Sequence, residues 1–213
     1  MSGLTDYAQN KLKDALYRAQ ALGAPATLYF GLITASKGER ANSTAYALND
    51  TAVVKIGGKY SFYKCTTAGT TAAALPGTYL AAVGEVITDG TAVFTEQTAA
   101  LDAGTYVEVT GGAYARVAVA ASLVNFAGTQ GAGTTTASTG TTGTTSNNGV
   151  ITFPTPTAQW HPTGGAIVGV VLFDAATVGN AWNWSMMTAI KNVNNGDPAP
   201  SIAAAAWTDT IGN

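Results

Sequence analysis

The chain has 213 residues, 46% of them hydrophobic and only 10% charged, with a formal net charge of −2. That length, with a mean hydropathy of +0.16, suits one sizeable domain or two small ones and excludes a chain too polar to fold. No Lys/Arg run supplies the electrostatic attraction that dominates nucleic-acid affinity, so no nucleic-acid partner is expected.

In chain order, residues 5–22 read as the one convincing helix. Thr5 is the N-cap, Asp6 lies beside the positive helix end, and Gly23 and Pro25 stop the run. Ala8, Leu12, Ala15, Leu16, Ala19 and Leu22 form one apolar face that is expected to dock, with Leu16→Ala costing about 2–5 kcal/mol. After Pro25 the pattern changes to strands, beginning at 27–33, where Leu28, Phe30 and Leu32 alternate onto one face. Further strands are expected at 113–121, 150–153, 165–173, 181–187 and 201–206, and Asp89-Gly90 signals a hairpin between Val86-Ile87 and Ala92-Val93-Phe94. Short strands after one helix predict a mainly β fold, a β-sandwich or jelly-roll-like domain with an N-terminal α-helix. Residues 128–149 are nearly all Thr, Gly, Ser, Ala and Asn, and read as a loop or an arm lying along an adjacent subunit.

The N-terminus has no apolar stretch flanked by basic residues, and the apolar run from Ala166 to Phe173 is too short to span a bilayer, so neither a secretory signal nor a membrane segment is expected. The lone Cys65 excludes an intrachain disulfide and fits a reducing cytosol; it reads as a small buried hydrophobe, because the only histidine, His161, stands far away between Trp160 and Pro162. One His and one Cys cannot build a typical zinc site, and the carboxylates form no calcium loop, so no metal and no cofactor are expected. Glu85, Asp89 and Glu96 are close enough in sequence to be weighed as a glycosidase pair, but Asp89 reads as a turn residue and nothing fixes a partner for the others. No catalytic residue is assigned.

Five stretches stand out: Tyr7-Ala-Gln-Asn-Lys-Leu-Lys-Asp-Ala-Leu, Ala24-Pro-Ala-Thr-Leu-Tyr-Phe-Gly-Leu-Ile-Thr, Gly111-Gly-Ala-Tyr-Ala-Arg-Val-Ala-Val, Ile151-Thr-Phe-Pro-Thr-Pro-Thr-Ala-Gln-Trp, and Phe173-Asp-Ala-Ala leading to Gly196-Asp. Together they resemble a family of small tailed-phage virion proteins described as tail-fibre-like. The resemblance implies a virion component without enzymatic activity. This chain departs from the family pattern between Thr34 and Gly111, where a short loop is the family norm. Within that stretch, Ala45-Tyr-Ala-Leu-Asn-Asp, Tyr63-Lys-Cys-Thr-Thr-Ala-Gly-Thr-Thr, Pro76 and Thr88-Asp-Gly-Thr-Ala-Val-Phe resemble a small β-module of phage fibres and some carbohydrate-binding proteins. That module commonly carries Trp where Tyr79 and Phe94 stand here, and Gly where Asn49 stands.

The expected organisation is a main β-domain formed by 1–40 and 99–213, with an inserted module at 41–98. Two sets of aromatic residues are singled out. Tyr60, Phe62, Tyr63 and Tyr79 are either core or a platform for a host surface glycan. Trp182, Trp184 and Met186 share a face at strand spacing and are either core or a subunit interface. The expected function is a structural piece of the phage tail or tail fibre that assembles with other virion proteins and with itself, in the virion after synthesis in the bacterial cytoplasm. A capsid decoration or head-fibre protein and a host-glycan-binding module are the alternatives.

Overall fold

A computed structural model describes residues 2–211. The chain opens with a short strand β1 (Ser2–Leu4), helix α1 (Asp6–Arg18) and strand β2 (Thr27–Ala35). Next come β3 (Ala45–Tyr46), β4 (Thr51–Ile56), β5 (Lys59–Thr67), β6 (Gly69–Thr70), β7 (Val86–Asp89), β8 (Ala92–Glu96) and the short helix α2 (Thr98–Asp102). The remainder holds β9 (Val107–Glu108), β10 (Val117–Ala120), β11 (Thr144–Ser146), β12 (Ile151–Thr152), β13 (Ala166–Phe173), β14 (Ala181–Lys191), β15 (Ser201–Ile202) and β16 (Thr208–Thr210). The fold is mainly β with an N-terminal helix, as its strand periodicities predict.

The principal sheet runs β1-β14-β13-β2-β10, and β9 also pairs with β2. All its pairings are antiparallel. β13, Ala-Ile-Val-Gly-Val-Val-Leu-Phe, is buried along its whole length, so both of its faces must be covered. Alternation along the strands decides which side chain goes to which side. On one face Phe30, Leu32, Ile167, Val170 and Leu172 meet Ile151, Phe153, Trp160, Val193 and Trp207 from the loops that follow. On the other face Ile33, Val168, Val171, Phe173, Trp184 and Met186 meet Val53, Tyr60 and Phe62.

Those last three residues belong to a second antiparallel sheet, β4-β5-β8-β7. The two sheets therefore make a sandwich with one shared apolar layer, to which the segment expected as an inserted module contributes Val53, Tyr60 and Phe62. The outer face of the second sheet has a core of its own, built from Tyr46, Ala52, Val54, Tyr63, Cys65, Tyr79, Ile87, Ala92 and Phe94. The expected hairpin is present: Asp89 pairs with Ala92, and Gly90 takes φ +66° in the intervening turn. A Cβ there would stand 2.2 Å from the Thr70 carbonyl oxygen, so glycine is needed for the close approach as well as for the turn.

α1 begins as expected, with Thr5 accepting a hydrogen bond from the Ala8 amide. It ends earlier than expected, at Arg18, where Ala19 takes the left-handed conformation. Only Ala8 of the helix is buried, and Leu16 is 66% and Tyr17 82% exposed. The expected docking of the whole apolar face is therefore corrected: Leu16 faces solvent, and a short helix whose apolar face is left exposed gains little from propensity alone.

The Thr/Gly-rich stretch is folded back on its own chain. Gln130 organises it, donating from Nε2 to Thr136 Oγ1 at 3.0 Å and accepting from the Thr139 amide at 3.1 Å. Thr129 and Gly140 close the loop through a 3.1 Å hydroxyl-to-carbonyl bond, and β11 then pairs with β16. Side-chain hydroxyls do there what an apolar core does elsewhere.

Candidate functional site

The aromatics weighed as a sugar platform are all buried. Tyr60 and Phe62 lie in the layer between the sheets, and Tyr63 and Tyr79 in the outer core, edge-on to each other with centroids 5.0 Å apart. A stacking platform needs an open ring face, and none of the four offers one; the platform assignment is corrected to core packing. Tyr79 spends its hydroxyl on Asp89 at 2.9 Å and Tyr63 donates to Glu85.

The three carboxylates of the same region are each committed to the backbone of a loop. Glu85 accepts from the amides of Leu80 and Ala81, Glu96 from those of Gly84 and Thr98, and Asp89 from that of Ala72 at 2.9 Å. Asp89 also receives a two-pronged ion pair from Arg40. Burial acts to raise the Asp89 pKa, but the hydrogen bonds from Arg40, Ala72 and Tyr79 outweigh it and hold the carboxyl below its ordinary value. Asp89 is thus more than the turn residue that Asp-Gly suggests. Its role could not be read locally, because Arg40 lies far away in the sequence.

Trp184 and Met186 pack in the shared layer, with Trp184 Nε1 donating to Asp102 at 2.7 Å. Trp182 is only partly buried and lies edge-on to Tyr7 at 5.5 Å, so the helix start covers it. For Trp184 and Met186 the interface alternative is corrected to core: β14 turns them inward against the second sheet. Cys65 is fully buried with its thiol donating to the Thr67 carbonyl, and burial pushes its pKa up, which disfavours the reactive thiolate.

One built polar site surrounds Arg116, which the sequence marks only as a residue able to pair with some carboxylate. Arg116 donates from Nε and Nη2 to the two oxygens of Glu108, at 2.8 and 2.7 Å, and from Nη1 to the carbonyls of Ala175 and Val178. Its guanidinium lies 3.3 Å from the Phe173 ring centroid. Gly31 leaves room for this arrangement, since a Cβ there would stand 2.8 Å from both Glu108 Oε1 and the Phe173 ring. The ion pair ties the β13–β14 turn to β9 and walls a cleft of about 510 Å³, also lined by Asp6, Tyr7, Asp102, Tyr106 and Asn180. Burial raises the Asp102 pKa, helped by Asp6 and Glu96 and opposed by the Trp184 N–H. Among the described residues no three His, Cys, Asp or Glu side chains converge as metal ligands.

No curated relative matches the chain. A family model described as Podophage GP4 fiber I protein gp80 matches residues 91–209, from the β7–β8 turn through Asp209 of β16. The matched stretch contains β13, β14 and the segments after β9 that cover the first face of the principal sheet; it leaves residues 1–90, with α1 and β2, outside. Since it spans more than half of the sequence, the chain belongs to this phage fibre family.

Proposed function

We propose that the chain is a structural, non-enzymatic component of the tail or tail-fibre apparatus of a tailed phage. It is made in the bacterial cytoplasm and incorporated in the virion with other virion proteins and with copies of itself. The observation that carries this reading is the match of residues 91–209 to a phage fibre family. Two features support it. A surface with few charges suits a subunit that meets neighbours. The carboxylates nearest to a hydrolytic arrangement, Glu85, Asp89 and Glu96, already have hydrogen-bond partners within their own fold. Symmetry-resolved electron microscopy of the intact particle tests it. Density for this fold in the tail fibres is expected; density on the capsid would make it a decoration or head-fibre protein, and its absence from purified particles would refute a virion role.

A second reading, contact with a host surface glycan, is favoured by the cleft beside Arg116. Its walls combine partly exposed Tyr7 and Tyr106 with hydrogen-bonding groups of Asp102 and Asn180, whereas the aromatics first weighed for this role are buried. A glycan array with the purified protein tests it, and Tyr106→Ala is expected to abolish any signal that arises in this cleft.

A further inference from the structure

Asn183 on β14 and Asp209 on β16 form a buried polar pair, with Asn183 Nδ2 donating to Asp209 Oδ1 at 2.8 Å. The Asn183 Oδ1 atom is also buried and has no donor. A buried carbonyl oxygen without a donor costs about 1–3 kcal/mol, and a buried carboxylate held only by neutral N–H donors costs more. Both deficits have the same remedy. A protonated carboxyl and a carboxamide pair reciprocally, each giving one hydrogen bond and receiving one.

We propose that Asp209 keeps its proton in the folded protein and donates it to Asn183 Oδ1, so that the last strand is fastened to the principal sheet by a proton-dependent clasp. Among the described residues no cation is ion-paired with Asp209 to take the proton's place. β1 and β11, which pack beside β16, carry no ionisable side chain, and the only one on β14, Lys191, stands at that strand's end, away from Asn183. From α1, Lys13 lines a cavity with Thr210 and Ile211 but makes no ion pair with Asp209, while Asp14 of that helix is engaged with Arg18. Burial raises the Asp209 pKa, opposed by the Asn183 and Thr210 N–H groups, in keeping with this arrangement.

What the clasp holds is defined by its neighbours. β16 pairs with β11, which ends the Thr/Gly-rich loop, and the Trp207 amide donates to Asn147 Oδ1 at 2.9 Å. Ionising Asp209 therefore loosens β16, β11 and the loop together, and leaves the two-sheet layer closed. The sign follows from the upward displacement: the stabilisation is complete below the unfolded value near 3.8 and is lost as pH rises through the folded value.

The test is a carbon-13 NMR titration of the Asp209 carboxyl in the full chain, combined with hydrogen exchange of the β11 and β16 amides at several pH values, corrected for intrinsic rates. The carboxyl is expected to titrate above 3.8, with β11 and β16 losing protection over the same interval. Asp209→Asn carries a permanent donor to Asn183 and is expected to keep that protection across the whole range. A carboxyl midpoint at or below the ordinary aspartate value would overturn the proposal, as would unchanged pH dependence of β11 and β16 exchange in Asp209→Asn. If that variant fails to fold, the wild-type titration decides alone.

Discussion

Arg40 grips Asp89 with two donors, Nε to Oδ2 at 2.8 Å and Nη2 to Oδ1 at 2.9 Å, and both side chains are withdrawn from solvent, at 3% and 0% exposure. The pair joins the segment leaving β2 to the β7–β8 hairpin, and the same guanidinium donates to the Ala72 carbonyl. Removing one partner strands the other charge. Asp89→Asn is expected to lower stability by about 3–5 kcal/mol, read from the midpoint of denaturant unfolding.

The same carboxyl sets a pH dependence. Because its folded pKa lies below the unfolded value, its contribution is complete above pH 3.8 and falls away as pH drops through the folded value. Thermal unfolding between pH 5 and 2 should show a steep loss in the wild type that is much reduced in Asp89→Asn. Asp209 predicts the opposite slope, so the two titrations are separable by direction.

Residues 41–98 cannot be removed without consequence for the rest. Val53, Tyr60 and Phe62 cover Ile33, Val168, Val171 and Trp184, and deleting the segment would expose that apolar face. The deletion is expected to yield insoluble or molten protein, checked by near-ultraviolet circular dichroism of whatever is recovered. Phe62→Ala is the milder probe, with an expected loss of about 3–5 kcal/mol.

Leu16→Ala, by contrast, is expected to change the stability of the isolated chain by no more than about 0.5 kcal/mol, because Leu16 is 66% exposed. A larger loss in chemical denaturation would mean that the helix face is covered in solution.

Gly90→Ala meets both a left-handed φ of +66° and the Thr70 carbonyl 2.2 Å from the new methyl carbon. It is expected to cost more than about 1 kcal/mol, and hydrogen exchange should place the damage in β6, β7 and β8.

The sequence was most legible where one short pattern determined the outcome. Thr5 with Asp6 placed the helix start, the Leu28, Phe30, Leu32 alternation placed β2, the Ala166–Phe173 run placed β13, and Asp89-Gly90 placed a turn. It was less legible where distant residues decide. The end of α1 follows a stretch where Leu16 and Tyr17 are left exposed, which periodicity alone does not report. β10 covers only 117–120 of the expected 113–121, since Ala113 takes φ +63° and Arg116 is drawn to Glu108. Tyr60 and Phe62 alternate as core and platform alike would, and only their packing in the layer with Trp184 separates the two, while Tyr63 and Tyr79 are buried in the outer core. Arg40 and Asp89 stand 49 residues apart, Arg116 and Glu108 only eight but in irregular chain, and no spacing rule joins the members of either pair.

One feature of the topology bears on mechanics. The chain departs from β2 at Ala35 and comes back as β9, where Val107 lies beside Thr34 and Glu108 beside Ile33. Exit and re-entry are thus neighbours on a single strand. Tension carried along the principal sheet can cross from Thr34 to Val107 through that ladder, so residues 36–106 stand outside the line of pull although their side chains fill the layer beneath it.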